Sequence, residues 1–189
     1  MSLSLAWQML VDGWFFFEIL LAIVTRTGRS QGKVTDRGSL LLLWLSIGTS
    51  IPAAFWIAGV MPGNLFVHAA WLSPVCLIVM AFGFVLRLTA IVMLGRAFSV
   101  NVAIRNNQSL KQDGLYAWMR HPSYSGMVLM FLALGLSERN WISLLILAIV
   151  PNAALLYRIH VEEIALRAGF GEEYVAYSRR VKRLVPGIY

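Results

Sequence analysis

Five apolar stretches dominate this sequence and leave few folds open to it: Leu3–Val24, Ser39–Val60, Phe66–Leu94, Pro122–Leu136 and Trp141–Tyr157. A helix that crosses a bilayer needs about 20 mostly apolar residues, and the first three stretches supply them. The last two are shorter and only Ser137-Glu138-Arg139-Asn140 separates them, so they read as a tight helical hairpin. Pro151 lies inside the fifth stretch, where its missing N–H predicts a kink. The composition agrees, with 59% of the 189 residues hydrophobic and 13% charged. Soluble domains average roughly 45–50% and about 25%, which excludes an ordinary soluble enzyme, a disordered chain and a fibrous repeat. The fold class expected is all-α: a polytopic membrane protein of about five transmembrane helices, forming one integral membrane domain over residues 1–189.

The net charge of +7 would suggest nucleic acid on a soluble protein. Here its distribution is a statement about topology. Fourteen of the sixteen basic residues fall in the loop after span one, the loop after span three, and the tail. An excess of Lys and Arg marks cytoplasmic segments. The N-terminus is therefore expected outside and the C-terminus in the cytoplasm, with lipid rather than nucleic acid as the partner of the basic face. The single cysteine, Cys76, permits neither an intramolecular disulfide nor a cysteine-based metal cluster. No metal site is expected. The N-terminus lacks the basic flank of a signal peptide, and the C-terminus is not a prenylation box.

Glu18 and Arg87 are charges inside spans. Each lies six or seven residues from the cytoplasmic end of its span, roughly 10 Å below the interface at about 1.5 Å per residue. A lone charge at that depth is costly, so the two are expected to pair.

Polar residues concentrate in Gly95–His121 and Arg158–Tyr189. The first is longer than a membrane connection requires and carries enough apolar residues to fold against something. It runs into Arg120-His121-Pro122-Ser123-Tyr124-Ser125-Gly126, where Pro122 suits the first turn of a helix. Free N–H groups at that helix start could receive a carboxylate, and Gly126 would let another backbone approach. In the second stretch Arg158 and Glu162 are i,i+4, in the weaker order for helix stabilisation, which points to another use. The segment after Phe170 reads at least partly as an amphipathic helix on anionic lipid.

Together these stretches resemble the isoprenylcysteine carboxyl methyltransferase family. The resemblance rests on Leu110-x3-Gly114-x-Tyr116-x3-Arg120-His121-Pro122-x-Tyr124-x-Gly126, on Arg158-x3-Glu162-Glu163, on Phe170-Gly171-x-Glu173-Tyr174-x2-Tyr177 and on Arg183-Leu184-Val185-Pro186. It covers residues 95–189, and implies a catalytic half there behind three transmembrane helices in 1–94. The catalytic half would comprise a cytoplasmic cofactor loop, the hairpin and C-terminal amphipathic helices. The cofactor implied is S-adenosylmethionine, bound without a Rossmann domain. By resemblance Asn101, Gln108, Ser109, Leu110, Lys111 and Tyr116 would line its pocket, His121, Pro122, Ser123 and Tyr124 would close it, and Glu162 would face it. Arg158 would hold the acceptor, and Arg158 and Glu162 would be the catalytic pair. Asn101 and Lys111 depart from the residues frequent in the family at those positions.

The chemistry agrees with the residue types. A carboxylic acid ordinarily titrates at about pH 4, so the acceptor is already ionised at neutral pH and needs no general base. Catalysis then reduces to orientation and exclusion of water. Arg158 can grip a carboxylate with its planar fork, and aromatic faces tolerate a sulfonium. The acceptor expected is lipidic or prenylated. Competing expectations are a phospholipid N-methyltransferase, which would need a base such as Glu163 or His160, a sterol-reductase-like enzyme using NADPH, and a non-catalytic membrane anchor.

Overall fold

A computed structural model describes residues 2–27, 38–61, 69–95, 98 and 109–189, with the side chains of 25–27 left out of that description. The helices are α1 (Leu3–Thr27), α2 (Gly38–Val60), α3 (Leu72–Leu94), α4 (Pro122–Ser137), α5 (Trp141–Phe170) and α6 (Glu172–Arg180), with a 3-10 turn over Gly114–Ala117 before α4. Four of them, α1, α2, α3 and α5, are long and apolar enough to cross a membrane, and α4 is a shorter apolar helix. Only 17–44% of each long helix's apolar window is buried against protein. The remaining apolar surface, including Phe16, Ile78, Val92 and Ile149, is exposed and requires lipid rather than water around it. The chain is an integral membrane protein.

The bundle pairs α3 with α4, α2 with α5, and α4 with α5, while α1 lies against α3. Trp14 of α1 meets Phe131 of α4 edge to face at 5.7 Å, and Met80, Met130, Leu134, Leu147 and Leu155 fill the centre. The tightest crossing is α3 on α4. A Cβ on Gly83 would stand 2.8 Å from the Gly126 carbonyl, and one on Gly126 would collide with the Gly83 carbonyl. Gly126 therefore does admit a neighbouring backbone.

The α4–α5 hairpin forms as the short 137–140 spacer predicts. Arg139 turns the chain with a positive φ of 53°, and the Asn140 side chain caps α5 by accepting from the Ile142 and Ser143 N–H groups. Asn140 Nδ2 also donates to the Met61 carbonyl at the end of α2. Two boundaries differ from the sequence expectation. The third helix begins at Leu72, and Phe66 lies outside the described residues. The fifth does not end at Tyr157 but continues unbroken through Pro151 to Phe170, 30 residues in all. Pro151 cannot donate to the Leu147 carbonyl; Asn152 Nδ2 donates there instead, at 3.2 Å, and to the Ala148 carbonyl at 3.0 Å. At about 1.5 Å per residue α5 is about 45 Å long against a hydrocarbon core of about 30 Å, so it is longer than a straight crossing needs by roughly ten residues. Gly171, at φ 53°, then turns the chain into α6.

Candidate active site

One face of α3 organises the start of α4. Beyond the Gly83–Gly126 crossing, Arg87 Nη1 donates to Ser123 Oγ at 2.8 Å. One turn further on, the Ala90 carbonyl accepts from Tyr116 Oη at 3.2 Å. Successive turns of α3 thus hold the body of α4, its first turn, and the 3-10 turn before it. Arg87 also donates through Nη2 to Glu18 Oε2 at 2.7 Å and through Nε to Glu18 Oε1, so the two intramembrane charges do pair.

The N–H groups at the α4 start are largely satisfied within the chain. The Arg183 carbonyl accepts the His121 N–H at 3.0 Å, and the Tyr124 and Ser125 N–H groups close onto the His121 carbonyl. His121 and Tyr124 stack their rings with centroids 5.7 Å apart.

Tyr124 aims its hydroxyl at α5, where the i,i+4 spacing sets Arg158 and Glu162 on one face. Arg158 Nε donates to Tyr124 Oη at 3.1 Å, and Tyr124 Oη donates to Glu162 Oε2 at 2.8 Å. Arg158 is 2% exposed, and its Nη1 donates to Ser39 Oγ, at the start of α2, at 3.0 Å. Glu163, on the next face, anchors the tail instead. Its Oε1 accepts from Arg120 Nε and Nη2 and its Oε2 from Arg183 Nε and Nη2, at 2.7–3.1 Å, with His121 Nε2 3.4 Å away. Arg120 Nη1 donates to the Ser178 and Val181 carbonyls, one within the last turn of α6 and one just past it. The backbone N–H of Arg120 donates to the Lys182 carbonyl.

α6 forms because Glu172 and Glu173 begin it and Arg179 and Arg180 end it, each sign at the end the helix dipole favours. Its buried face is not on lipid. Tyr174 and Tyr177 are 1% and 3% exposed, and Tyr177 Oη donates to the Tyr116 carbonyl at 2.6 Å. Burial pushes the Tyr177 phenol up to about 12 and moves those of Tyr116 and Tyr174 upward as well. All three stay protonated in the physiological range.

One cavity joins these groups. Its polar end is lined by Ser109, Leu110, Lys111, Tyr116, His121, Tyr124, Glu162, Tyr174 and Tyr177. Its apolar lining includes Trp14 and Phe15 of α1 and Leu40, Leu43, Trp44 and Ile47 of α2. Arg158, Arg87, Glu18 and Ser123 line it as well. Of the residues expected to serve the site, Pro122 is buried at the first position of α4 without lining the cavity. Asn101 and Gln108 lie outside the described residues. Ser39, Phe170, Tyr174 and Tyr177 are additions to the expected site residues. The motif Phe170-Gly171-x-Glu173-Tyr174-x2-Tyr177 carries the last three, but its alternation with charged residues reads as lipid contact. Among the described residues no group of three His, Cys, Asp or Glu side chains is placed to hold a metal ion.

A helical membrane bundle with one cavity lined by both charged or polar groups and apolar side chains of α1 and α2 defines the class: an intramembrane helical protein with an amphipathic internal site. The profile of the isoprenylcysteine carboxyl methyltransferase (ICMT) family matches residues 75–168. The chain is 37% identical over 171 residues to protein-S-isoprenylcysteine O-methyltransferase B of Arabidopsis thaliana, covering 89% of this chain and 85% of that one. It is 35% identical over 122 residues to protein-S-isoprenylcysteine O-methyltransferase of Homo sapiens, covering 62% of this chain and 42% of that protein. It thus spans less than half of the longer human relative. A solved structure of a eukaryotic intramembrane Ras methyltransferase superposes with a TM-score of 0.63 at 29% identity, over 77% of this chain and 52% of that one. The chain belongs to the isoprenylcysteine carboxyl methyltransferase family.

Proposed function

We propose that this protein methylates the carboxylate of an isoprenylcysteine-like or other lipidic acceptor, using S-adenosylmethionine. The observation that carries this reading is the position of Arg158: a buried guanidinium lining one cavity that is also lined by Glu162, His121 and Tyr124 and by apolar side chains of α1 and α2. The names of these relatives, protein-S-isoprenylcysteine O-methyltransferases, agree with it.

The polar end fits the cofactor by its donor set. Glu162 offers a carboxylate to an ammonium or ribose hydroxyls, and the stacked His121 and Tyr124 rings offer aromatic faces to a sulfonium. Ser109, Leu110, Lys111 and Tyr116 would form the wall, with Tyr174 and Tyr177 closing it. When bound, the cofactor supplies an electrophilic methyl group. The chain's own contribution is then to present the nucleophile. Arg158 binds the acceptor carboxylate while the prenyl tail lies along Trp14, Leu43, Trp44 and Ile47. Tyr124, bonded to both Arg158 and Glu162, keeps the acceptor-holding and cofactor-holding groups in one register. The surrounding buried side chains exclude water, which leaves the carboxylate poorly solvated and reactive.

An amine acceptor would need a base. Glu163 has both oxygens occupied by guanidinium donors, and His160 is exposed, away from the cavity-lining residues. Residues 1–94 would form the lipid-facing wall and 95–189 the catalytic half of one membrane domain, with the site toward the cytoplasm.

Purified protein in nanodiscs tests this directly. S-adenosylhomocysteine is expected to bind by calorimetry, and radiolabelled methyl from S-adenosylmethionine is expected to appear as a base-labile ester on an N-acyl-S-prenylcysteine. Label on phosphatidylethanolamine instead, or binding of NADPH in place of S-adenosylhomocysteine, would overturn the reading.

A further inference from the structure

Glu18, Arg87 and Ser123 form a buried polar chain across three helices. Trp14 Nε1 donates to Glu18 Oε1 at 3.1 Å, Arg87 spans both Glu18 oxygens through Nε and Nη2, and Arg87 Nη1 holds Ser123 Oγ. The side chains of Arg87 and Glu18 are 7% and 11% exposed, and Ser123 is 8% exposed. The chain therefore runs from the cavity wall on α1 to the second residue of α4. The next residue, Tyr124, touches Arg158 and Glu162.

A buried ion pair is a poor way to gain stability, since well-packed apolar replacements are often neutral or stabilising. An apolar pair could pack α1 against α3 equally well. It could not hold the Ser123 hydroxyl, and that bond fixes the first turn of α4 against α3 beyond the Gly83–Gly126 crossing. We propose that Glu18 and Arg87 are positioning residues: acting through Ser123, they set the α4 first turn so that Tyr124 presents Arg158 to the acceptor. The Glu18 and Arg158 side chains are then linked by two sets of hydrogen bonds joined through the Ser123–Tyr124 backbone. The catalytic part of this inference rests on the proposed methyl transfer; the structural part does not.

The experiment compares Arg87→Met, the double variant Glu18→Leu/Arg87→Met, and Ser123→Ala, each in nanodiscs. Thermal midpoint, kcat and acceptor KM are measured, together with hydrogen–deuterium exchange of the 121–126 segment. Arg87→Met should lower the midpoint by leaving Glu18 buried without its partner, and the double variant should restore it. The double variant and Ser123→Ala should nevertheless show faster exchange at 121–126. Both should lose about tenfold in kcat/KM for the acceptor, mainly in KM, the equivalent of one modest interaction. If the double variant regains exchange protection and kcat/KM together with its midpoint, the pair only packs helices and the proposal fails. Ser123→Ala keeps the ion pair intact, so it decides the same question if the double variant does not fold; parental exchange and kinetics there also overturn it. If the parent protein methylates no prenylcysteine, the functional reading falls, while the exchange comparison still decides whether the chain positions α4.

Discussion

Ser39 and Tyr124 fix the Arg158 head group from two helices, so on the proposed role it is held before the acceptor arrives. Such a pre-set guanidinium loses little freedom on gripping a carboxylate. Arg158→Lys keeps the charge but loses the planar fork. It is expected to lower kcat/KM for the acceptor by roughly tenfold or more, the scale of a charge-assisted hydrogen bond at about 1.5–3 kcal/mol. S-adenosylhomocysteine affinity should change far less, which calorimetry beside steady-state kinetics will check. The sequence exposes Arg158 and Glu162 through their unusual order on the helix. It does not expose Ser39, because a serine at the head of an apolar run looks like any helix start. Glu163 reads as a candidate base, since nothing in one dimension brings Arg120 and Arg183 to the same carboxylate.

Hydropathy locates the membrane helices well, because it measures what lipid contact requires. It marks the end of the fifth apolar run and not the end of its helix: Arg158 and Glu162 end the run, their i,i+4 spacing already reads as helix, and the next glycine that can stop it is Gly171, after Gly169 has passed within the helix. Pro151 looks like a defect in sequence, and the compensation comes from Asn152, whose side chain stands in for the missing N–H. Asn152→Ala is expected to destabilise the protein by about 0.5–1.5 kcal/mol, one hydrogen bond's net worth, with kcat/KM preserved; thermal unfolding and kinetics on the same sample measure both. The α3–α4 crossing has no such slack. Gly126→Ala must push α3 away, at a cost of about 1–3 kcal/mol or more. It should lower the thermal midpoint well beyond Asn152→Ala, and lower acceptor kcat/KM too, because α4, separated from α3, carries Tyr124.

The whole molecule has two surfaces of opposite chemistry: an apolar belt left open around α1, α2, α3 and α5, and a set of basic residues gathered in loops and tail. That division predicts an orientation. With Cys76 replaced by alanine, cysteines placed at Ser2 and at Ile188 report on the two ends. A membrane-impermeant maleimide added to intact cells should label the Ser2 site and spare the Ile188 site until the membrane is permeabilised. The reverse pattern would invert the topology.

Burial of Arg158 has a thermodynamic edge that concerns leaving rather than arriving. A carboxylate satisfies a guanidinium held away from water; its methyl ester cannot, since it has lost the charge and keeps only neutral acceptors. On the proposed reaction, the transferred methyl group therefore weakens the grip that made transfer possible. The product, more soluble in lipid than the acid it came from, would then partition toward the apolar side chains of α1 and α2 that line the cavity. Turnover would need no separate device for ejecting the product: the chemistry itself unfastens it.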